Sequence, residues 1–239
     1  VHVNVTSSML DSGALTFNGD FGASSQILVV GSKLVTMSSY AISFLNIFLG
    51  VNSALLLLDN FIEGSSYAVH FSDAAVVDGG GVIVKGNTLR ATEGGNGVES
   101  SVCVYAVLKN GGYFYVENNT MSAVHGVYLY GDTTVSSAGL LRVADCIFFE
   151  STEVVESALV CLDGTLTLEG GAQWRVEGNN VSAFSILRIA HSQQNIELLD
   201  SGTTVVLAYN RQAKDTYPFA GLAPSNTIVV SPARLVVGC

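Results

Sequence analysis

The chain has 239 residues, of which 13% are charged and 49% are hydrophobic, and its formal charge is -10. This acidic balance excludes the usual nucleic-acid-binding protein, because phosphates are bound by clustered Lys and Arg. It argues equally against an anionic membrane surface as a partner. The chain starts at Val1 and stops at Cys239 inside a repeating pattern, so we expect residues 1–239 to be one segment of a larger protein.

A short motif recurs along the chain, in which a Val or Leu is followed three positions later by an anchor residue, most often Asn. Apolar and polar residues alternate around it with a period of two, which is typical of a strand with one buried face. The anchors follow one another at intervals of 27 to 33 residues: Asn4, Ser32, Asn60, Asn87, Asn119, Cys146, Asn179, Asn210 and Cys239.

Two more apolar pieces lie between successive anchors. A shorter one, such as TLTL at 165–168, leads into a glycine-rich corner, where Gly permits tight backbone geometry. Each repeat of about 29 residues therefore predicts three short strands and three corners. The longer piece reads ALTF (14–17), AISF (41–44), AVHF (68–71), SVCV (101–104), GVYL (126–129), ALVC (158–161) and SILR (185–188).

The repeat predicts an all-β fold: a right-handed, single-stranded parallel β-helix of the pectin-lyase-like type, with about eight coils of three short strands. Strands of successive coils would pair at about 4.8 Å, and equivalent side chains would stack. At one corner the anchor amides can donate and accept hydrogen bonds along the stack. The predicted ladder consists of Asn60, Asn87, Asn119, Asn179 and Asn210.

The alternative fold is a solenoid similar to leucine-rich repeats. Their motif, L-x-x-L-x-L-x-x-N-x-L, also fits the stretch WRVEGNNV at 174–181. However, the position of the first leucine holds Asn52, Gly79, Gly111 or Gly171, and the far side of each repeat is strand-like.

Three stretches depart from the regular repeat. Residues 41–58 are 18 uncharged residues, long enough for a membrane span, but polar residues interrupt them and the repeat accounts for them. Residues 211–226 contain two of the three prolines, and we expect a longer loop there before the last strand. Insertions collect at one corner, above all in 91–100 and 149–156, and loops gathered on one face of a solenoid often bind ligands.

Neither the cysteines nor the histidines predict a metal or cofactor site. The four cysteines form no CxxC pair, and none of the four histidines has a second ligand at metal spacing. Cys103 and Cys161 fall in one strand column two coils apart, about 9.6 Å, whereas a disulfide needs Cα atoms within roughly 7 Å. We expect no metal, no cofactor and no disulfide in this segment.

The carboxylates predict no catalytic residue. Glycoside hydrolysis needs two carboxyl groups flanking one bond, but Glu117 and Glu177 share a column two coils apart, with Ala144 between them. We therefore expect a protein that is not an enzyme. A polysaccharide lyase or hydrolase remains an alternative.

Outward side chains suggest a possible ligand face. Arg142 and Arg175 stack on adjacent coils and could bind a carboxylate, and outward tyrosines could stack against sugars. The predicted face comprises Arg142, Arg175, Tyr115 and Tyr128, with Tyr130 as a further outward ring.

Three sequons predict N-glycosylation at Asn4, Asn118 and Asn180. The last two adjoin the anchor corner. Such sites are compatible with an extracellular location.

Long strings such as LLLLDNFIEGSSYAV, VVDGGGVIVKGNTLRAT, TLEGGAQWRVEGNNV and SNTIVVSPARLVVGC resemble the trypanosomatid family of dispersed gene family protein 1, along essentially the whole segment. The resemblance implies a very large cell-surface glycoprotein with a β-helical ectodomain. Cysteine-rich modules and membrane-spanning helices would lie outside this segment. It also implies adhesion, with a host extracellular-matrix protein or a glycan as partner, and supplies no catalytic motif. A purely structural stalk is a further alternative.

Overall fold

The computed structural model describes residues 1–11, 14–92, 99–150, 157–190, 195–212, 217–220, 228–230 and 234–237. Within these ranges the chain contains strands but no helix, and it winds into a parallel β-solenoid of about seven turns with three parallel sheets. The predicted all-β parallel β-helix with three strands per coil is confirmed. The alternative similar to leucine-rich repeats is wrong, because strands of a third sheet occupy the side where such repeats place helices.

The first sheet has nine parallel strands and contains the residues that precede each anchor. Its strands alternate between buried and partly exposed residues, as the period of two predicted. They are His2–Thr6 (β1), Gln26–Val30 (β4), Ala54–Leu58 (β7), Gly81–Lys85 (β10), Tyr113–Glu117 (β13), Leu140–Ala144 (β17), Gln173–Glu177 (β21), Thr204–Ala208 (β25) and Arg234–Val237 (β29).

The second sheet has eight parallel strands and follows the anchor corner. Its strands are two to four residues long, because the chain soon turns into the corner that carries the predicted insertions. They are Met9–Asp11 (β2), Lys33–Val35 (β5), Phe61–Gly64 (β8), Thr88–Ala91 (β11), Thr120–Ala123 (β14), Ile147–Glu150 (β18), Asn180–Ser182 (β22) and Arg211–Gln212 (β26).

The third sheet has twelve strands, and after its fourth strand it continues as two parallel rows of shorter strands. Four long strands come first, each of seven to twelve residues: Leu15–Phe21 (β3), Tyr40–Leu49 (β6), Tyr67–Asp78 (β9) and Ser100–Lys109 (β12). Beyond β12 each coil contributes two short strands to this sheet. One row is His125–Tyr130 (β15), Ala158–Asp163 (β19), Ser185–Ile189 (β23) and Tyr217–Ala220 (β27); the other is Thr133–Val135 (β16), Leu166–Leu168 (β20), Ile196–Leu198 (β24) and Ile228–Val230 (β28).

The core consists of stacked columns of apolar side chains. Val84, Val116 and Val143 are successive partners in the first sheet and are at most 1% exposed, as the repeat predicted. Aromatic rings stack in the same way, with 4.6 Å between the ring centroids of Phe44 and Phe71. Burial of such columns is the main stabilising contribution, at roughly 25 cal/mol per Å² of apolar surface.

The predicted asparagine ladder is present at the corner between the first and second sheets. The Asn87 Oδ1 accepts hydrogen bonds from the backbone N–H and the Nδ2 of Asn60, both at 2.9 Å. The Asn87 Nδ2 donates to the carbonyl of Leu57 at 2.9 Å and to Asn119 Oδ1 at 3.0 Å. Asn179 and Asn210 repeat the pattern, so each buried amide is satisfied by the neighbouring coils.

The residue before each anchor from Ser32 to Asn210 has a left-handed backbone conformation, and so has Ser7 in the first coil. This conformation turns the chain out of the first sheet and favours Gly, Asn or Asp, since these residues tolerate positive φ. The preference is visible in the sequence strings LLDN, VKGN, VENN and VEGN. The residues before the anchors are Gly31, Asp59, Gly86, Asn118, Asp145, Gly178 and Tyr209.

The predicted register is wrong in the first and last coils. Val5 pairs with Val29, so Ser8 occupies the anchor position in place of Asn4, and its N–H donates to Ser32 Oγ at 3.1 Å. At the other end Leu207 pairs with Val237, one residue beyond the predicted partner. Alternating or adjacent valines fit both registers, so the apolar pattern alone cannot distinguish them. Cys239 lies outside the described residues.

The register of the third sheet differs from the prediction between β15 and β19. Val127 pairs with Val160, one residue beyond the Leu159 that the strings GVYL and ALVC implied, whereas Val160 pairs with Leu187, as the strings ALVC and SILR predicted. The string ALVC is apolar on both sides, so its alternation is weak. The predicted loop at 211–226 contains two strands, β26 and β27, because these residues continue the second and third sheets.

The apolar stretch 41–58 belongs to the solenoid, as the repeat predicted. It forms most of β6 and all of β7. Over the described part of the chain there is no helix with the length and hydropathy needed to cross a membrane.

Candidate functional site

The predicted ligand face lies on two different sheets. Tyr115, Arg142 and Arg175 are successive partners on the outer face of the first sheet. Tyr128 lies in β15 of the third sheet, where its partners are Cys103 and Cys161. The structure therefore groups three of the four predicted residues and separates Tyr128 from them.

The two arginines are already engaged by carboxylates of the same sheet. The Arg142 Nε donates to Glu177 Oε1 at 3.0 Å, and its Nη1 donates to Glu117. Arg175 binds both oxygens of Glu177, at 3.1 and 2.9 Å. Each positive charge thus has an internal negative partner, which weakens the case for binding an acidic ligand here.

This ionic network changes the pKa values of its members. Burial acts to raise the pKa of Glu177, but hydrogen bonds from Arg175 and Arg142 outweigh it, so the pKa is lowered. For Arg142, burial acts to lower the pKa, and the bonds to Glu177 and Glu117 raise it. Both shifts favour the charged forms of these side chains. The ion pairs that cause the shifts connect three adjacent coils.

A cleft of about 240 Å³ lies on the outer face of the third sheet, where several aromatic rings converge. The imidazole of His70 is stacked between rings: its centroid is 5.2 Å from Tyr67, 5.4 Å from Tyr40 and 6.0 Å from Tyr130. Tyr105 meets Tyr130 edge to face at 5.6 Å. The cleft is lined by Tyr67, His70, Cys103, Tyr128, Tyr130 and Asp163.

The cleft residues come from successive coils. His70 is in β9, Cys103 in β12 and Tyr128 in β15, and the three are consecutive register partners. Cys103 and Cys161 share this column with Tyr128 between them, as the repeat predicted, and both thiols are buried.

Burial favours the neutral forms of two tyrosines, the Cys103 thiol and His70 in the cleft. It raises the pKa of Tyr67 to about 12, with added contributions from Cys103 and Glu99. It raises the pKa of Tyr130 to about 12 as well, and it raises the pKa of the Cys103 thiol. Burial lowers the pKa of His70, against the effect of Asp73.

Tyr128 connects the cleft to a buried histidine. Its hydroxyl donates to Asp163, and its ring stacks on His125 at 5.5 Å. Burial raises the pKa of Tyr128, and the bond to Asp163 adds to this effect. Burial also lowers the pKa of His125 to about 4, so that imidazole is uncharged at neutral pH.

The described residues contain no group of three or more His, Cys, Asp or Glu side chains that could hold a metal ion. His191 lies outside them. His2 is exposed on β1, at the outer edge of the first sheet.

A second concavity of about 530 Å³ lies over β11, β14 and β18 of the second sheet. Arg90, Thr120, Phe149 and Glu150 contribute to its lining, and Phe149 is 50% exposed. It adjoins the starts of the two predicted insertions, of which residues 93–98 and 151–156 lie outside the described residues. The predicted loop face therefore stays a prediction.

The three sequon asparagines are exposed. Asn4 lies on the first sheet, and Asn118 and Asn180 flank the ladder residues Asn119 and Asn179. Because exposed and buried residues alternate here, the ladder amides are buried while their sequon neighbours face outward.

Sequence reasoning missed Tyr67, His70 and Asp163 as cleft residues. A signal was present for the first two: the strings YAIS and YAVH both place a Tyr before the apolar piece of the third sheet. The sequence alignment placed Leu162 opposite Tyr130, one residue short of the observed partner Asp163, because of the register error described above.

The comparisons with known proteins identify no relative. No family model, no curated protein and no solved structure matches this chain.

Proposed function

We propose that this chain is a non-enzymatic, glycan-binding segment of a trypanosomatid cell-surface protein, and that it binds sugar through the aromatic cleft of the third sheet. The observation that carries the proposal is the convergence of four aromatic side chains on one outward cleft. The trypanosomatid surface location follows from the sequence resemblance described above, and the partner would be a glycan of the host or its matrix.

The cleft has the chemistry of a sugar site. Tyrosine rings present apolar faces for the C–H groups of a pyranose, and their hydroxyls supply hydrogen bonds. Phenol, thiol and imidazole groups that stay neutral suit recognition without proton transfer, since general acid–base catalysis needs a pKa near the working pH. The volume of about 240 Å³ is below the roughly 300–1,000 Å³ of pockets for drug-sized ligands, so this open site would receive a single sugar ring.

The solenoid supports this role mechanically. Each cleft residue lies on a strand whose neighbours are fixed by the ladder and the core, so the rings are held before a ligand arrives. Little side-chain entropy would be lost on binding, which favours affinity.

Binding to a glycan array, with melting curves as a check on folding, tests the proposal. Tyr130→Ala should weaken binding of the strongest glycan by about tenfold, or about 1.4 kcal/mol, because a stacking ring is lost. Tyr209→Ala is the matched control, since Tyr209 is 76% exposed and lies on the first-sheet side of the coil.

Equal losses in both variants would contradict binding at the cleft. Binding that disappears only when residues 91–100 are deleted would assign the ligand to the loop face instead. Absence of binding to any glycan or matrix protein would leave the structural stalk as the better account.

A further inference from the structure

Two large apolar side chains lie exposed beside each other on the second sheet. Ile147 is 41% exposed and Phe149 is 50% exposed, and both belong to β18. Phe148 is buried between them, so the alternation of the strand places this apolar pair, Ile147 and Phe149, on the outer face of the sheet. Contact of such side chains with water is unfavourable, and a cover over them would stabilise the protein.

A glycosylation sequon borders the apolar pair directly. In the next strand, β22, Asn180 is the register partner of Ile147, and Ser182 is the partner of Phe149. Asn180 and Ser182 are both exposed, and they are the first and last residues of the sequon Asn-Val-Ser. Neighbouring strands lie about 4.8 Å apart, so a sugar attached to Asn180 would begin within reach of both apolar side chains.

Polar groups lie on the far side of the apolar pair. Phe149 forms part of the lining of the concavity of about 530 Å³ over β11, β14 and β18. Arg90, Thr120 and Ser122 contribute a guanidinium group and two hydroxyls to the same lining. Such groups can hydrogen-bond the hydroxyls of sugars. An oligosaccharide that crosses the apolar pair from β22 would therefore reach hydrogen-bonding partners beyond it.

The sequon at Asn118 lies in different surroundings. Asn118 has φ 52° and lies at the corner between the first and second sheets. The equivalent residues in the coils before and after it are Gly86 and Asp145, and both are exposed. An oligosaccharide on Asn118 would leave the corner between a glycine and a carboxylate, so this site is a natural control for Asn180.

We propose that Asn180 carries an N-linked oligosaccharide that lies back over the second sheet and covers the apolar pair. In the attachment reaction, Asn180 Nδ2 bonds to the anomeric carbon of a lipid-linked oligosaccharyl diphosphate. The anomeric C–O bond breaks, the lipid diphosphate leaves with the electron pair, and the amide loses one proton. The apolar face of the first sugar packs on Phe149, and later sugars reach the concavity. This proposal does not depend on glycan binding at the cleft of the third sheet.

Removal of each sequon hydroxyl tests the proposal without changing an asparagine. Ser182→Ala abolishes the sequon of Asn180, and Thr120→Ala abolishes that of Asn118. Both residues are exposed register partners of the apolar pair, so the two substitutions are closely matched. The 239-residue chain is secreted from a eukaryotic cell line, and mass spectrometry of its glycopeptides measures the occupancy of each site.

The two secreted variants should differ in stability and in exposed apolar surface. Ser182→Ala should lower the Tm by about 2–4 °C, because it uncovers part of an aromatic and part of an aliphatic side chain. It should also increase the fluorescence of a dye that binds apolar surface. Thr120→Ala should change neither. The same variants made in bacteria, without glycans, measure the effects of the side-chain changes alone, and there their Tm values should be similar.

Phe149→Thr provides an independent check, because it keeps the sequon and removes the ring on which the sugar packs. The Tm difference between the secreted and the bacterial protein should fall in this variant to about half of its wild-type value or less.

Three results would overturn the proposal. One is an unmodified Asn180 in the secreted chain. Another is an equal loss of Tm in secreted Ser182→Ala and Thr120→Ala after the bacterial values are subtracted, which would assign the stabilisation to glycans in general. The last is an undiminished Tm difference in Phe149→Thr, which would exclude packing of the sugar on that ring.

Discussion

Cys146 interrupts the asparagine ladder between Asn119 and Asn179, and replacing it provides a quantitative test of how the coils are held together. Its thiol lies 4.0 Å from Asn119 Nδ2 and contacts the carbonyls of Val116 and Ala144 at 3.5 and 3.2 Å. Sulfur is a weak donor and a weak acceptor. Cys146→Asn would restore the arrangement seen at Asn87.

The gain follows from the hydrogen bonds that the new amide would make. Its oxygen would accept from Asn119, and its Nδ2 would donate to the carbonyl of Val116 and to Asn179, as Asn87 does with its own neighbours. A buried hydrogen bond contributes about 0.5–1.5 kcal/mol net, and fixing the larger side chain costs up to roughly 1.5 kcal/mol. We expect a net stabilisation of about 1–2 kcal/mol.

Urea unfolding followed by circular dichroism measures the effect. The urea midpoints of the variants are compared, because solenoids need not unfold in one step. In thermal melting, 1 kcal/mol corresponds to a change of about 2–4 °C in Tm for a chain of this size. The reverse change, Asn87→Cys, should lower the midpoint. A lower midpoint for Cys146→Asn would refute the view that amides are preferred at every coil of this corner.

Three further predictions concern the corners and the ionic network. Tyr209 has φ 57°, a conformation that strains a residue with a side chain. Tyr209→Gly should relieve about 1 kcal/mol of strain and so raise the Tm, and an unchanged or lower Tm would contradict this. A Cβ at Gly112 would lie 2.3 Å from a carbonyl oxygen of the neighbouring coil, whereas a Cβ at Gly22 would meet nothing within 4 Å. Gly112→Ala should therefore destabilise the protein by several kcal/mol, and Gly22→Ala should be tolerated. Comparable Tm values for these two variants would show that the corner can relax. The pKa of Glu177 is lowered in the fold by its hydrogen bonds from Arg175 and Arg142. This pairing therefore stabilises the protein at pH values above 4.5, the ordinary pKa, and the stabilisation is lost as the pH falls through the lowered pKa. The stability difference between the wild type and Glu177→Gln should therefore vanish in acid, and a constant difference down to pH about 2 would argue against the pairing.

The fold could be predicted because two signals agreed at most coils. The valine columns around Val84 and Val116 fixed the face of each strand, and the anchor Asn fixed the corner. Register failed where one signal was missing. At the first coil no Asn marks the corner, since Ser8 fills it, and near Val160 both sides of the strand are apolar.

The site was less accessible to sequence reasoning, because it depends on which outward columns adjoin. Tyr128 and Arg142 both point outward, but they lie in different strands of the coil and on different sheets, and alternation alone does not show which outward side chains meet. The closeness of His70 to Tyr130 also depends on ring orientation across several strands, which no linear spacing encodes.

Over the described part of the chain, the hydrogen bonds of the anchor amides stay within their own coil or reach the coil immediately before or after it. A complete coil, for example the 28 residues from Lys33 to Asn60, is therefore an interchangeable unit whose excision would bring two compatible surfaces together. Genes encoding such a chain can lengthen or shorten by whole coils without redesign of what remains, and the height at which the cleft stands on the rod becomes a freely adjustable quantity.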